Sequence, residues 1–379
     1  MSETAVRSIE AHFGGLEDSR ADLGKRHKLQ DIMVIAICGV VCGADNWVEV
    51  EMFGKAKERW LGQYLDLPHG IPSHDTFGRV FAQIDSEQFE TSFLSWVQAV
   101  FEITDGQVVA LDGKTVRRSH DRGNGKAAIH LVSAWAAANH LVLGQVKVDD
   151  KSNEITAIPQ LLQLLELSGC TVTIDAMGCQ SEIAAQIVEA GADYVLTVKD
   201  NQPYLLEDIS FFFDLAQQNG FARVDHDYHR TVNGGHGRIE TRECWTISEE
   251  ENLQFLRGYD RWEGLQTMVM VKRQRRIEDN VTSETRYFIS SLPNEAKRML
   301  QAVRSHWGIE NSLHWVLDVA MGEDDSRVRK GHAPENLALL RRVALALLQQ
   351  EKTAMVGVKA KRHKAGWDEN YLMKVLGVT

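Results

Sequence analysis

Residues 107–112 read Gln-Val-Val-Ala-Leu-Asp, and residues 171–175 read Thr-Val-Thr-Ile-Asp. Each stretch is a short apolar run of the kind that forms a buried strand, and each run ends at an aspartate. Further strands are predicted at residues 129–138, 141–148 and 194–198, and helices at 155–167 and 181–190. The resulting order β-β-β-α-β-α-β predicts an α/β fold with a mixed sheet and helical crossovers.

Two carboxylates follow the two strands that decide this fold. If the strands are neighbours, Asp112 and Asp175 lie close together beyond the ends of the strands, where mixed sheets bind ligands. Unpaired carboxylates in that position repel each other, and a divalent cation removes the conflict. Hard oxygen ligands select Mg²⁺ or Mn²⁺. The alternative interpretation is that each aspartate only caps a turn, which is common at strand ends.

A third acid, Glu310, lies in a long helix predicted at about residues 295–319. The residues that recur at three- and four-residue steps along one face of this helix are Leu300, Val303, Trp307, Glu310, His314 and Leu317. We expect that face to pack inward, where a glutamate is costly unless it is paired or bound to a metal. Glu310 is therefore a candidate third ligand, and an arginine partner is the alternative.

Other acidic pairs compete with this set for a cation. Asp149–Asp150 and Asp324–Asp325 are denser pairs of carboxylates than the strand-end aspartates. Both pairs lie in polar segments, so we expect them to be solvated.

The net charge of −11 argues, as an average, against a nucleic-acid partner, because affinity for phosphates comes mostly from Lys and Arg. The distribution of charge indicates the opposite. Residues 327–379 carry 11 Lys and Arg against 4 Asp and Glu, a net charge of +7. Two further basic clusters occur at residues 114–126 and 272–276. Three basic segments in one acidic chain raise nucleic acid as a partner.

The first hundred residues are predicted to be helical. Residues 29–65 contain few helix breakers, Ser73 is a plausible cap for a helix up to residue 84, and residues 87–103 are amphipathic. We assign residues 1–105 to an N-terminal helical region. Its turn and helix at 72–84 fit either a DNA-reading helix-turn-helix or a plain helical hairpin.

The remainder is predicted to form a catalytic domain over residues 106–350 and a basic C-terminal tail over 351–379. Within the domain, strands at 238–247, 266–273 and 285–291 and a turn at Asn233-Gly234-Gly235 indicate a β-rich insertion at about residues 221–292. A further helix is predicted at residues 334–350.

The longest apolar run, Ile32 to Gly43, is too short for a bilayer, which needs about 20 residues. The first residues show no basic and apolar pattern typical of a signal peptide. Five scattered cysteines form neither a disulfide framework nor a zinc pattern. We therefore expect a cytoplasmic protein without a membrane partner.

Three motifs resemble the acidic motifs of DDE insertion-sequence transposases, and are most similar to the H-repeat-associated, Rhs-linked branch. They are Leu111-Asp112-Gly113-Lys114, Ile174-Asp175-Ala176 and residues 306–319, His-Trp-Gly-Ile-Glu-Asn-Ser-Leu-His-Trp-Val-Leu-Asp-Val. The third motif is long and specific. The resemblance extends over nearly the whole chain, from Arg26 to Arg329.

The resemblance implies a ribonuclease-H-like mixed sheet with flanking helices, and a β-rich insertion before the glutamate helix. It also implies an enzyme that cuts and joins DNA strands with two Mg²⁺ (or Mn²⁺) ions per active site. Asp112, Asp175 and Glu310 would be the metal-binding triad, with Asp112 bridging both ions.

The implied partner is double-stranded DNA, both the inverted repeats of the element and its target, on bacterial DNA in the cytoplasm. A homodimer in the DNA complex is an open option. The candidate DNA contacts are Lys114, Arg117, Arg118, His236, Arg238, His306, Arg327, Arg329 and Lys330. Trp307 is expected either in the core or stacked on an unpaired base.

One departure from the wider group concerns the glutamate helix. Many relatives there carry Tyr and Arg upstream of the glutamate and Lys downstream, at positions that hold Val303, His306 and Leu317 in this chain. The alternatives to an active transposase are a catalytically inactive DNA-binding relative, a metal-dependent nuclease, and an unrelated phosphohydrolase of small phosphoesters. The basic clusters and the N-terminal helices count against the last.

Overall fold

The fold is described from a computed structural model, which covers residues 11–21, 25–100, 106–120, 126–149, 152–222, 224–235 and 237–377. The N-terminal helices are α1 (Leu29–Val41), α2 (Trp47–Ala56), α3 (Glu58–Leu61), α4 (His74–Gln83) and α5 (Ser86–Val100). The predicted helix at 29–65 is thus three helices. The chain breaks after α1 because Gly43 adopts φ +111°, a conformation that a helix does not accommodate.

The central region alternates strands and helices. Its elements are β1 (Val108–Thr115), β2 (His130–Ala136), β3 (Leu141–Lys147), α6 (Glu154–Gln163), β4 (Thr171–Ile174), α7 (Ser181–Glu189), β5 (Asp193–Val198) and α8 (Pro203–Gln218). Each strand predicted in this region is present. The apolar runs form strands because their branched residues are buried in the sheet, as in β4, where all four residues are buried.

The remaining elements are β6 (Asp227–Gly235), β7 (Arg238–Ile247), α9 (Glu250–Leu253), β8 (Thr267–Ile277), β9 (Asn280–Ser290), α10 (Ala296–Ile309), a π-helical turn (Glu310–His314), α11 (Trp315–Met321), α12 (Ala333–Gln350), α13 (Val358–Trp367) and α14 (Glu369–Val375). Strand β6 was not predicted, and the residues predicted as a turn, Asn233–Gly235, are its last three and pair with β7.

All nine described strands form one sheet in the order β3-β2-β1-β4-β5-β9-β8-β7-β6. Strands β1 to β3 are antiparallel neighbours, whereas β4 and β5 run parallel to β1. These five strands with their helices form the expected ribonuclease-H-like mixed sheet. Strand β9 joins β5 in antiparallel orientation and carries β8, β7 and β6 with it, so the β-rich segment extends the same sheet.

Helix α12 lies at the centre of the helical layer, where it packs against α1, α4 and α5. Its Asn336 side chain donates hydrogen bonds to the carbonyl oxygens of Phe81 (2.8 Å) and Ile84 (2.9 Å), which satisfies the end of α4. The N-terminal helices therefore share one hydrophobic core with the end of the chain. In the part of the chain that the structure describes, no helix is long and apolar enough to cross a membrane.

Four cations of the basic segment 327–379 are internal. Arg341, Arg342, Lys361 and Arg362 expose 7% of their surface or less. Arg362 donates to the carbonyl oxygen of Val40 at the end of α1 and to the Asp45 carboxylate, both within 3 Å. The expectation that this charge meets phosphate is wrong for these four residues, because they hold helices together inside the protein.

The most enclosed ion pair joins Arg342 of α12 to Glu323, with Arg342 Nη1 2.8 Å from Glu323 Oε1 and both side chains fully buried. We predict that Arg342→Met lowers the free energy of unfolding by about 3–5 kcal/mol, because it leaves a buried carboxylate without its partner. Arg276→Met, at an exposed position of β8, is the matched control and should change stability by less than about 0.5 kcal/mol. Urea unfolding measures both, and equal effects would contradict the assignment.

Candidate active site

The register of the sheet brings the two aspartates together. Strands β1 and β4 pair in parallel up to Leu111 and Ile174, so Asp112 and Asp175 are the next residues on each chain. Strand β4 ends there, and the Asp175 carboxylate accepts a hydrogen bond from the Met177 amide (3.0 Å) in the short turn that follows. Strand β1 does not end at Asp112 as predicted. It continues to Thr115 because it remains paired with β2.

Glu310 reaches the same place from the helix. It is the first residue of the π-helical turn that interrupts the long helix, and π-helical turns are often found at functional sites. The predicted inward face is buried at Leu300, Val303 and Leu317, but Glu310 itself is exposed. The expectation of a buried glutamate is therefore wrong, because the helix borders an open cleft at this turn.

A cleft of about 190 Å³ contains all three predicted acids, Asp112, Asp175 and Glu310. Two cations in the wall of this cleft were not predicted from the sequence. They are Lys199 at the end of β5 and Arg286 on β9. A basic residue directly after a buried strand was a usable signal for Lys199, but nothing in the sequence connects Arg286 to this cleft. The other polar residues of the wall are Thr173, Thr197 and His306.

The carboxylates of the cleft disfavour one another's charge. Burial raises the pKa of Asp112 from its usual value near 3.8 to about 7, and repulsion by Asp175, Glu154 and Glu310 adds to the effect. Burial and the charge of Glu154 likewise raise the pKa of Asp175. A divalent cation would relieve this repulsion, and carboxylate oxygens are the ligands that Mg²⁺ and Mn²⁺ prefer.

The donor set therefore fits such an ion in its chemistry. In the geometry of the described residues, no three His, Cys, Asp or Glu side chains converge closely enough to hold a metal. A cation would have to draw the carboxylates inward, and the exposed side chain of Glu310 is the one with room to move.

Two histidines beside the acids carry no charge at neutral pH. Burial lowers the pKa of His306 to about 4 and that of His314 to about 3. His306 Nδ1 lies 3.1 Å from the Thr173 hydroxyl, and His314 Nδ1 lies 3.5 Å from Asp112 Oδ2. His306 lines the cleft as expected, but as a neutral ring it offers a hydrogen bond and no cation to a phosphate.

Lys114 is not available to DNA, contrary to prediction. Its ammonium group lies 2.7 Å from Asp318 and 3.2 Å from Asp324, and the side chain exposes only 8% of its surface. Because Lys114 follows Asp112 by two residues and Asp318 follows Glu310 by eight, the pair ties the aspartate strand to the glutamate helix. Lys114 thus connects the strand that carries Asp112 to the helix that follows Glu310.

The other predicted DNA contacts lie away from the cleft. Arg117 and Arg118 are exposed and pair with Asp324 and Asp325, so this acidic pair faces cations rather than solvent alone. Arg327, Arg329 and Lys330 line a separate groove of about 450 Å³ beside α2 and α4. His236 and Asp150 lie outside the described residues.

A second cavity, of about 290 Å³, adjoins the acidic cleft and shares Arg286, Val303 and Trp307 with it. Its cations are Arg238, Arg242, Arg273, Arg286 and Arg304. Of these, Arg238 was a predicted DNA contact and Arg273 lies in the predicted basic cluster 272–276. Arg242, Arg286 and Arg304 were not predicted, because β7, β9 and α10 bring them together only when the strands pair and the helix packs beside them.

Two side chains organise this arginine cavity. Glu240 is buried and forms ion pairs with Arg238, Arg242 and Arg273. Trp307 lies under two guanidinium groups, at 5.4 Å from Arg273 and 4.5 Å from Arg286. The Trp307 indole is therefore neither a core side chain nor free to stack on an unpaired base. These were the two predictions for it.

The raised pKa of Asp112 has a consequence for stability. Between about pH 4 and pH 7 the unfolded chain releases the Asp112 proton while the folded chain keeps it, so stability falls as pH rises through this range. We predict that Asp112→Asn, in EDTA, is more stable than the parent protein at pH 8 by on the order of a few kcal/mol.

The difference should shrink as the pH is lowered toward 4, where both forms are neutral at this position. Asp279→Asn, at an exposed turn residue, is the control and should follow the parent protein at every pH. Thermal melts across this range measure the effect. A parent protein as stable as Asp112→Asn at pH 8 would contradict the assignment.

Two family models match most of the chain. Residues 103–348 match a family model described as "Transposase DDE domain", and residues 10–97 match one described as "DDE_Tnp_1-associated". A protein of Escherichia coli O157:H7 named "Putative transposase YncI" is 43% identical over 375 residues, which covers 98% of this chain and 95% of that protein.

A second relative, from Escherichia coli strain K12, is named "H repeat-associated putative transposase YhhI". It is 38% identical over 378 residues, 98% of each chain. Among solved structures, a chain from a piggyBac transposase synaptic complex with hairpin DNA aligns over 98% of this chain and 77% of its own, with 11% identity and a TM-score of 0.41. That score is too low to carry an argument.

Proposed function

The chain belongs to the family of transposases with a DDE domain, and from that premise we propose that it cleaves and joins DNA strands at the ends of an insertion sequence. The observation that carries the proposal is that two cavities adjoin. The cleft that contains Asp112, Asp175 and Glu310 and the arginine cavity have Arg286, Val303 and Trp307 as common wall residues. The carboxylates proposed to hold metal ions therefore lie next to the arginines proposed to bind phosphate.

We assign Asp112, Asp175 and Glu310 to the holding of two Mg²⁺ or Mn²⁺ ions, with Asp112 between the other two acids. When bound, such ions activate the attacking water or 3′-hydroxyl and neutralise charge on the leaving oxygen. The side chains of the protein position the DNA. Lys199 and Arg286 lie in the same cleft and are placed to orient the phosphate that is attacked.

The arginine cavity supplies the path of the DNA strand toward the acids. Guanidinium groups bind phosphate through paired hydrogen bonds, and Glu240 fixes three of them before DNA arrives. We propose residues 221–292 as a DNA-contacting insertion of the domain 106–350. Five Arg and two Glu line this cavity, a balance that suits the phosphate backbone of a strand rather than base edges.

We propose a second DNA contact at the groove beside α4. Arg79 on α4 and Arg327, Arg329 and Lys330 line one side of the protein there. This groove joins the N-terminal helical region, residues 1–105, to the segment before α12. The partners proposed for both surfaces are the inverted repeats of the element and its target DNA in the bacterial cytoplasm, with the chain acting as a homodimer.

A catalytically inactive DNA-binding relative is the second candidate. The observation that favours it is the spacing of the acids, since no three of them among the described residues converge as a metal site. One measurement distinguishes the two functions: whether the protein cleaves the DNA that it binds.

We predict that the parent protein nicks supercoiled DNA carrying its flanking inverted repeats when Mg²⁺ or Mn²⁺ is supplied. Asp112→Asn should lose nicking but bind DNA at least as tightly, because removing a negative charge does not weaken phosphate binding. Asp279→Asn is the matched control and should nick normally. Full nicking by Asp112→Asn would sink the assignment, and binding without nicking by the parent protein would favour the inactive relative.

We predict that Arg286→Gln weakens DNA binding and lowers the slope of log affinity against log salt by about 1, the value for one lost phosphate contact. Arg261→Gln, at an exposed turn that borders neither cavity, is the control and should leave the slope unchanged. Fluorescence anisotropy over a salt series measures both. Unchanged binding by Arg286→Gln would remove the arginine cavity from the DNA path.

A further inference from the structure

Helix α4 carries a polar ridge on its outer side. Asp75, Arg79 and Gln83 are exposed and recur at every fourth position, so they follow one another along the same side of the helix. The opposite side of α4 is apolar and buried. The helix is thus fixed from below by its apolar side chains and presents three polar side chains outward.

The rest of the protein holds α4 rigidly. Phe77 and Phe81 are fully buried, and both stack on the Trp47 ring of α2, with ring centroids 6.5 Å and 4.6 Å away. The Ser73 hydroxyl caps the first turn by accepting from the Thr76 amide (3.4 Å), and α12 binds the carbonyl oxygens of the last turn. A rigid element of this kind can hold side chains in a precise geometry toward a partner.

A groove borders each side of the ridge. One is the groove of about 450 Å³ described above, which contains the cations of residues 327–330. The other has a volume of about 590 Å³, and its wall includes Arg20 and Arg26. Arg79 lines both grooves, so α4 stands out between them as a ridge.

The helical period confirms that the two grooves lie on opposite sides of Arg79. The groove of about 450 Å³ is lined by Asp75 and Gly78 of α4, whereas the groove of about 590 Å³ is lined by Thr76 and Gln83. At about 100° per residue, the first two positions lie on one side of Arg79 and the other two on the opposite side.

The charge of the two grooves suits phosphate. Arg20 is paired with Asp18 (2.7 Å), which leaves Arg26 on one side and the three cations of residues 327–330 on the other. Of the described residues that line either groove, only Asp75 carries a carboxylate. In a chain with a net charge of −11, a local excess of cations on both sides of one helix indicates a polyanion as the partner.

Duplex DNA has the matching arrangement. Its major groove is about 12 Å wide, admits an α-helix and is bordered on each side by a phosphate backbone. The ridge would face the base edges, and the two basic grooves would face the backbones. A carboxylate on the ridge disfavours contact with phosphate, and the Asp75 side chain is 80% exposed there.

The three ridge side chains are of the types that read base edges. Arginine pairs with guanine and glutamine with adenine, each through two hydrogen bonds, and a carboxylate accepts from the amino group of cytosine. Arg79, Gln83 and Asp75 therefore offer both donors and acceptors to base pairs.

The arrangement differs from the helix-turn-helix motif considered for residues 72–84. Helix α3 ends at Leu61 and α4 begins at His74, so the connection is far longer than the three- or four-residue turn of that motif. The helix is supported instead by α2 and by α12 from the end of the chain.

We propose that α4 enters the major groove of duplex DNA and reads base pairs through Asp75, Arg79 and Gln83, while the cations of the two grooves bind the flanking phosphates. The inference rests on the proposed function for DNA as the partner. It adds the element that gives sequence preference for the ends of the insertion sequence, apart from the cleft that contains the acids.

The test compares the affinity of the full chain for two duplexes by fluorescence anisotropy. One duplex is the inverted repeat that flanks the coding sequence, and the other has the same base composition in scrambled order. The ratio of the two dissociation constants measures base recognition, because phosphate contacts carry no direct sequence information. We expect the parent protein to prefer the repeat.

Gln83→Ala is the most informative variant because it removes no charge. The ratio should fall about tenfold, the discrimination expected from one good contact with a base, while the affinity for the scrambled duplex stays unchanged. Arg79→Ala should lower the ratio at least as much and also weaken binding of both duplexes. Alanine favours the helix at both positions, and thermal melts establish that the variants are folded.

Three further variants serve as controls. Gln98→Ala and Arg59→Ala, at exposed helical positions that line neither groove, should keep the ratio of the parent protein. Lys330→Gln should weaken binding of both duplexes by the same factor and leave the ratio unchanged, because Lys330 is assigned to phosphate.

An unchanged ratio in both Gln83→Ala and Arg79→Ala would overturn the inference, and so would a parent protein that binds the two duplexes equally. If the parent protein still nicks DNA in these cases, the proposed function stands and α4 does not read bases. A parent protein that neither binds nor nicks DNA would make the proposed function fail together with the inference.

Discussion

The burial of the Asp112 carboxyl group is the constraint on which the site depends. The group is largely buried where β1 and β4 part, and the carboxylates of Asp175, Glu154 and Glu310 add repulsion to the effect of burial. The parallel register fixes the two aspartates, so they cannot move apart without breaking the sheet. Near neutral pH the folded chain must therefore either keep a proton on Asp112 or bind a cation beside it. A transposase of the DDE family would use the bound cation.

The surroundings of the acids maintain that constraint by holding the helix that carries Glu310. Lys114 ties β1 to Asp318 beyond the π-helical turn, and Arg342 ties α12 to Glu323 soon after it. Buried pairs of this kind add little net stability but are costly to break, so they fix the position of a helix more than they strengthen the fold. Four of the 11 Lys and Arg residues in 327–379 have this internal role.

The sequence predicted the strands of the core and the two aspartates because both depend on short-range patterns. The apolar run of β4 ends where that strand ends, and Asp175 follows it as predicted, whereas β1 continues past Asp112. Glu310 was found by its motif and helical spacing, but its exposure was not, because the cleft forms only when the helix packs on the sheet. The ranges assigned to the domains and the roles of the three acids stay predictions.

What the sequence could not predict depends on contacts between distant residues. Lys114 was predicted to contact DNA, because no pattern in the neighbouring sequence shows that Asp318 lies 2.7 Å from its ammonium group. The arginine cavity required the pairing of β7, β8 and β9 and the packing of α10 beside them. Charge counts alone misled, since four of the 11 Lys and Arg residues in 327–379 are internal and strands β7 to β9 contribute four of the five Arg that line the arginine cavity.

The central claim is that the carboxylates around Asp112 form a centre for divalent cations. The most direct measurement is anomalous diffraction from crystals of the full chain soaked in Mn²⁺. The account predicts an anomalous peak in contact with the carboxylate oxygens of Asp112 and Asp175, with the side chain of Glu310 drawn inward. A peak only at another acidic pair, such as Asp324 and Asp325, with none at Asp112, would contradict it.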